Sequence, residues 1–584
     1  MKETSDLLFL QSKGEEKQFW LQPTQFYSAT FIFLIFFLAI FTSVGAQDLG
    51  NLKNEKPVDF SGNISLRLNT YASSRENPTR DPFFWTISGS PTVSIYGLSL
   101  PFSFAFSQKN KDFRQPFNQF GVSPYYKWLK IHLGYRSLSF SDYTLSNHTF
   151  LGAGIEADPS IFRLGFMYGR FLKAIEQPID TLAEEIIRPA FSRTGWAAKV
   201  GIGTNNNFLD LIVFKGRDNV NSLTDSLASV AVAAENLVYG IKSRQVFLKI
   251  FSFDLDYGFS SYTHNRNSER IDTEQYRIPF FVTGLLTPNA STEFTMAGKA
   301  SLNMRLKLLQ LRLQYSRVEP DYQSMGSYFL NNDMENITIA PSWSMFKSKV
   351  RINGSVGFQR NNLFNDKLNK TLRRISSVNI SYTPTGKFGV NAFYTNYRIN
   401  QERNIRTSYD TLKLEQFSHN LNFNTFLNLG NKDIRHTVNL GLNYQTFLDD
   451  NNMSEVNSNT TSINPNLSYR FSNNPNKFGI NANINVNKFE TAQNATVRWG
   501  YSFGVNKRFL ENKLSLNGSL SYFINRMDGQ KHSNTMSLNA RGNYNINKHH
   551  SLYLSGNFIT RSAVSDDIKA IRDLLANLGY TFNF

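Results

Sequence analysis

Eight histidines are the residues of this chain best suited to act as bases: His132, His148, His264, His419, His436, His532, His549 and His550. Nucleophilic catalysis needs a hydroxyl held against such a base, with a third group orienting the base. His419, directly after Ser418, and His148, just after Ser146-Asn147, are the suggestive neighbours. Spacing places no third partner, and both read as ordinary polar surface. His549-His550 falls in a short polar turn and reads as solvated. The carboxylate pairs Asp449-Asp450 and Asp566-Asp567 offer the oxygen donors that Ca²⁺ prefers, but a calcium site takes about six to eight oxygens and too few stand in either stretch. Cysteine is absent, which excludes thiol nucleophiles, cysteine metal sites and disulfides. Glycine-rich phosphate loops, zinc-type histidine spacing and dinucleotide fingerprints are absent too. The sequence therefore predicts no enzyme, no cofactor and no metal site.

The elements that carry these groups are strands. Phe supplies 51 of 584 residues and aromatics 14 %, yet the mean hydropathy is -0.35. A membrane helix needs about 20 consecutive apolar residues, and only one such run exists, near the N-terminus. Strands escape that requirement, because alternate residues meet lipid and water. In the last strand Ala576, Leu578, Tyr580, Phe582 and Phe584 alternate with Asn577, Gly579, Thr581 and Asn583. Residues 478–487 repeat the scheme with Phe478, Ile480, Ala482, Ile484 and Val486 against Gly479, Asn481, Asn483, Asn485 and Asn487. In 534–546, Ser537, Asn539, Arg541, Asn543 and Asn545 oppose an apolar face, and 514–525 alternate likewise. Such segments run to roughly 11 to 14 residues, against about 5 to 6 in soluble sheets.

Connections alternate in length as well. Short turns are expected at Pro384–Lys387, Gly430–Asp433, Asn473–Asn476, Leu510–Asn512 and Asn547–His549. Longer links are expected at Asn361–Arg373, Gln401–Lys413, Asp449–Thr460, Thr491–Ala495, Asp528–Ser533 and Ser562–Asp573. Counted back from Phe584, every short turn falls on one side, as in membrane barrels with short periplasmic turns and long outer loops. The fold class is thus all-β: a transmembrane antiparallel up-and-down β-barrel of about 24 strands (22–26 accepted), spanning residues 47–584. Segments 173–193, 218–239 and 265–292 break the pattern and are expected to fill the lumen or cap it.

The apolar run Ala29–Ile40 continues to Val44-Gly45-Ala46, small residues placed as signal peptidase requires. Residues 1–46 are read as a signal peptide, with a long front region carrying Lys13 and Lys17. The whole chain carries a net charge of +17; those 46 residues hold three Lys against four acids, so the remainder carries +18. The bases are scattered rather than gathered in a patch, so nucleic acid is not the expected partner. In a barrel they line the lumen or meet anionic head groups.

The alternating C-terminal strand ending on Phe584, with Tyr580 and Phe582 before it, resembles the C-terminal assembly signal of Gram-negative outer-membrane barrels. The resemblance extends to barrels of uncharacterised substrate found in Bacteroidota. It is carried by the Ala46-Gln47 junction, the Asn-rich faces, and segments such as Arg188-Pro189-Ala190-Phe191, Glu235-Asn236-Leu237-Val238, Arg317-Val318-Glu319-Pro320-Asp321-Tyr322 and Asn331-Asn332-Asp333. It implies the outer membrane, contact with its lipid and lipopolysaccharide, and the barrel-assembly machinery as a partner during biogenesis. Strand pattern starting near Phe60 leaves about 13 residues after the cleavage point, too few for the plug of a TonB-dependent receptor. Two functions are then expected. One is a channel for small solutes, its lumen lined by Asn481, Asn483, Asn485, Asn539, Arg541 and Asn543 and mildly anion-preferring. The other is a non-conducting scaffold or export port for a surface lipoprotein or other envelope protein. A barrel-embedded hydrolase is the remaining alternative.

Overall fold

The computed structural model describes residues 57–78, 80–96, 98–108, 119–176, 188–403, 414–451, 458–563 and 570–584. The proposed signal peptide, residues 177–187 of the irregular segment 173–193, and the Asp566-Asp567 pair lie outside them. Residues Val58–Ser94 and Leu98–Phe584 form one compact unit, an antiparallel sheet of 29 extended stretches. These make a closed barrel of 26 staves, because three staves are interrupted: at Gly62, at Ser90-Pro91 and at Ser123-Pro124. Closure is made by the first and last long strands, Asn63–Ser73 and Ile571–Asn583, in register from Asn63↔Asn583 to Ser73↔Asp573. The even count brings the start of the first stave and the end of the last to the same rim, where the Phe584 amide donates to the Gly62 carbonyl at 3.0 Å.

One rim carries connections of four residues or fewer, among them Asp158–Ile161, Thr204–Asn207, Leu248–Ile250, Gly386-Lys387 and Asn431–Asp433. The other rim carries the long ones, including 139–147, 264–291 and 319–333. Two long-rim links are tighter than their sequences suggest. Between Thr491 and Ala495 only three residues turn the chain. Asp528-Gly529 forms a two-residue hairpin with both residues at positive φ (50° and 79°), the geometry in which an Asp-Gly pair matches strand twist.

Each strand turns alternate residues to opposite faces of the wall. On one face Phe166, Tyr168, Leu209, Leu211, Tyr501, Phe503, Leu554 and Leu578 are all exposed, an apolar belt with no protein partner to bury it. A soluble protein does not leave so much apolar area in water, so this face meets lipid. The opposite face is the lumen.

Strands Phe83–Gly89 and Gln119–Val122 show little alternation in sequence, because Phe83-Phe84-Trp85 is apolar on both faces and the second stave is broken at Pro124. Two expectations need correction. The irregular segment 218–239 ends sooner: strand Glu235–Phe247 begins at Glu235, and its first residues are buried on both faces, which hides the alternation. Segment 265–292 neither fills the lumen nor caps it along Ile278–Leu286. There Val282 and Leu286 pack on Leu237, Val213, Tyr239 and Phe259, which belong to the lipid-facing side. Segments 173–193 and 218–239 do meet each other, through Phe191, Leu223 and Ala233.

Candidate functional site

The lumen is the site, and its two walls are built differently. On the wall from Leu129 to Val318, two long-rim connections fold inward. Residues 139–147 and 319–333 bond to each other: Tyr322 Oη donates to the Tyr143 carbonyl at 2.7 Å, Ser324 Oγ to the Thr144 carbonyl at 2.5 Å, and the Ser146 amide to the Gly326 carbonyl at 2.9 Å. They also bond to the wall. Asp256 accepts from Ser141 Oγ at 2.5 Å and from the Asp142 amide at 3.0 Å, while Lys299 reaches Asp142 at 2.8 Å. Asn236 accepts from the Met325 amide at 3.0 Å and donates to Ser260, whose hydroxyl donates to the Gln323 carbonyl.

Apolar packing completes this seal. Phe140, Leu145 and Met325 sink among Leu138, Phe150, Met167, Phe171, Ile212, Phe214 and Val238, while Tyr143 and Tyr322 pack on Ala297 and Val318. Room for them comes from glycines facing the lumen, of which the cross-strand pair Gly240↔Gly258 matters most. A Cβ on Gly240 would lie 2.5 Å from the Thr144 methyl, and one on Gly258 would lie 2.4 Å from Tyr322 Oη. The Thr144 hydroxyl, drawn into this core, has no hydrogen-bond partner among the described residues.

The wall from Ile434 to Asn583 presents amides instead. Asn481, Asn539, Arg541 and Asn543 border one lumenal cavity of about 700 Å³, together with Arg470, Asn517, Ser555 and Asn577. Asn483 donates to Ser502 at 3.0 Å one step along the same face, and Asn485 stands opposite Gly500 and Asn466. Arg541 lies over the Tyr553 ring at 5.6 Å. Amides also ladder across strands, as where Asn443 donates to Asn420 and Asn422 and accepts from Asn464. Arg470, Arg498, Arg541 and Arg561 alternate in phase with these amides, against the carboxylates Asp449 and Asp573. The lumenal face on this side is polar, and these arginines outnumber those carboxylates.

The C-terminal residues act at the seam. Tyr580 and Phe582 pair with Leu66 and Ile64 of the first strand, Tyr580 Oη meets His550 Nδ1 at 2.6 Å, and Phe584 packs edge-on against Phe582 at 4.8 Å.

Among the described residues, none of the sequence candidates for chemistry assembles. Ser418 and His419 are neighbours in a strand and so point to opposite faces; His419 bonds Tyr394 at 2.8 Å instead. His148 donates to the Thr149 carbonyl and stacks on Tyr328 at 4.0 Å. One arrangement escaped the sequence reading: His132 bonds Ser123 through Nδ1 at 3.1 Å and Glu156 through Nε2 at 2.9 Å. Eight residues lie between Ser123 and His132 and twenty-three between His132 and Glu156, and the three sit on three different staves, so no spacing motif reveals them. Ser123 and His132 are 8 % and 4 % exposed, and the line clamps the stave broken at Ser123-Pro124. Among the described residues no three His, Asp or Glu gather as a metal site.

Outside the strands, Asp333 ties the inward loop 319–333 to the next connection. It accepts from Lys367 Nζ at 2.6 Å and from the Leu363 amide at 2.9 Å. Burial pushes the Asp333 carboxyl up, but these donors outweigh it and hold it below its ordinary value; the hydrogen bond to Asp333 in turn raises Lys367.

A closed, lipid-belted barrel with a polar lumen defines a transmembrane β-barrel of the outer-membrane type. No family model and no curated protein matches the sequence. Among solved structures, a mutant of the ferric enterobactin receptor from Pseudomonas aeruginosa is similar at 9 % identity and a TM-score of 0.40, with 90 % of this chain and 80 % of that one covered. The copper transporter OprC is similar at 8 % identity and a TM-score of 0.39, with 90 % and 81 % covered. OccAB2 from Acinetobacter baumannii matches at 10 % identity and 0.29, with 65 % and 98 % covered. Values this low transfer neither substrate nor residue role.

Proposed function

We propose that this barrel sits in the outer membrane and conducts small hydrophilic solutes through the Asn- and Arg-lined side of its lumen, with a preference for anions. One observation carries this reading: the cavity of about 700 Å³ bordered by Arg470, Asn481, Asn539, Arg541 and Asn543 on the wall opposite the inward loops. Amides exchange hydrogen bonds with passing water and solute at little cost, and the unbalanced arginines favour negative charge. Tyr580, Phe582 and Phe584 serve as the recognition strand for assembly, since they complete the seam on which closure depends. The reading fits no catalytic role for the histidines.

Purified full-length protein reconstituted in planar bilayers gives stepwise current with reversal potentials on the anion side. A silent bilayer, with correctly folded protein shown by heat-dependent gel mobility, overturns it. The inward loop pair supports a second reading, a closed scaffold for another envelope protein. That reading requires a protein copurifying in stoichiometric amount from native membranes, together with the silent bilayer.

A further inference from the structure

The lipid-facing side of the wall carries a pocket that lumenal transport does not use. Strand pairing sets Arg374 directly opposite Arg398, Phe358 opposite Arg374, and Arg360 opposite Leu372, all on the face that also bears exposed Ile337 and Phe358. Arg360, Arg374 and Arg398 therefore converge over a floor of Ile337, Phe358 and Leu372, around a cavity of about 530 Å³. The floor belongs to the apolar belt, and the arginines lie toward the long-loop rim, where hydrocarbon gives way to head groups. Like charges set directly across a strand pair repel, and here the sheet fixes them on three adjacent strands. Glu335 engages Arg360 and Glu415 engages Arg398, whereas Arg374 rests over the Phe358 ring at 5.4 Å.

We propose that this pocket binds the phosphate of an anionic amphiphile in the outer leaflet, with its acyl chains lying along Ile337 and Phe358. Guanidinium groups suit the task because their forked donors match phosphate oxygens two at a time, and a phosphate between Arg374 and Arg398 cancels their repulsion. The apolar floor beneath the charges selects an amphiphile over a free anion.

The test uses full-length protein in detergent with three probes: lipopolysaccharide, the same lipopolysaccharide after enzymatic dephosphorylation, and inorganic phosphate. Native mass spectrometry is expected to show retention of the phosphorylated form. Arg374→Gln should weaken it about tenfold, the effect of losing one charge-assisted contact. Lys548→Gln, an equal charge change in a short-rim turn, leaves retention intact. Arg374→Lys keeps the charge and recovers part of the binding, which separates lost affinity from misfolding. Equal retention of phosphorylated and dephosphorylated forms overturns the proposal, as does an Arg374→Gln protein that binds like the unmodified chain. Displacement by millimolar inorganic phosphate overturns the lipid assignment, because the apolar floor would then contribute nothing.

Discussion

Along strand Phe208–Asn219 the lumenal residues are Asp210, Ile212, Phe214, Gly216 and Asp218; along strand Phe478–Thr491 they are Gly479, Asn481, Asn483, Asn485 and Asn487. Both strands show lipid the same kind of surface, Leu209 and Leu211 in one and Ile484 in the other. The difference lies wholly inside. Mixed apolar, glycine and acidic residues make sockets that inward loops fill, as Met325 fills the gap at Gly216. A row of equal-sized amides offers neither a socket nor an apolar floor, so its free energy is best served by water. Alternation thus makes the membrane wall, while the sizes of the inward side chains decide whether the lumen closes.

The largest test of that contrast removes Tyr322, which is fully buried between the two loops and the wall. Tyr322→Ala should cost about 3 to 5 kcal/mol, by analogy with large aromatic truncations, and loosen the seal. Conductance should rise and hydrogen exchange over 319–333 should accelerate; unchanged current would mean that the inward loops do not restrict the path. Filling the gap from the other side is the next largest change. Gly258→Val places methyl groups where Tyr322 Oη stands and should cost about 1 to 3 kcal/mol through overpacking, read as a lower unfolding midpoint. The same exchange at Gly556, whose Cβ would meet nothing within 4 Å, should leave that midpoint in place.

The pair Asp333–Lys367 gives the contrast a pH dependence. Asp333 sits below its ordinary 3.8, so its contribution is complete above that value and is lost as pH falls through the lower, folded-state one. Lys367 sits above its ordinary 10.5, so its contribution is complete below that value and is lost as pH rises through the higher one. Exchange protection of 319–333 should therefore be flat between about pH 4 and pH 10 and fall outside it. Asp333→Asn should abolish the acid limb; a limb that persists assigns it to another carboxylate. The smallest expected effect is at Asn539→Ala, on the hydrated wall. Stability should change by about 0.5 kcal/mol or less, since water replaces the amide. A much larger loss would show that the amide ladder is structural, and the contrast between the walls would fail.

Alternation along each strand is readable from residue types, since a period of two puts its amides on one face; Asn481, Asn539, Arg541 and Asn543 stand around one cavity. The loop 139–147 was not legible. Ser139-Phe140-Ser141-Asp142-Tyr143 reads like one more alternating stretch, and only its partners from residue 165 to residue 325 show that it turns inward. The outward course of Ile278–Leu286 was hidden in the same way, because an apolar loop carries no mark saying which face of a wall it will cover.

What the chain by itself determined was the alternation, set by neighbours one or two residues apart, and the alternating lengths of the connections, from which the rim of each turn follows by counting. What only the tertiary structure decided was the Gly240–Gly258 gap, the Tyr322 seal, the Ser123–His132–Glu156 line and the three arginines over Phe358. Each of these depends on register between strands, and register is fixed when the whole cylinder closes rather than by any one strand.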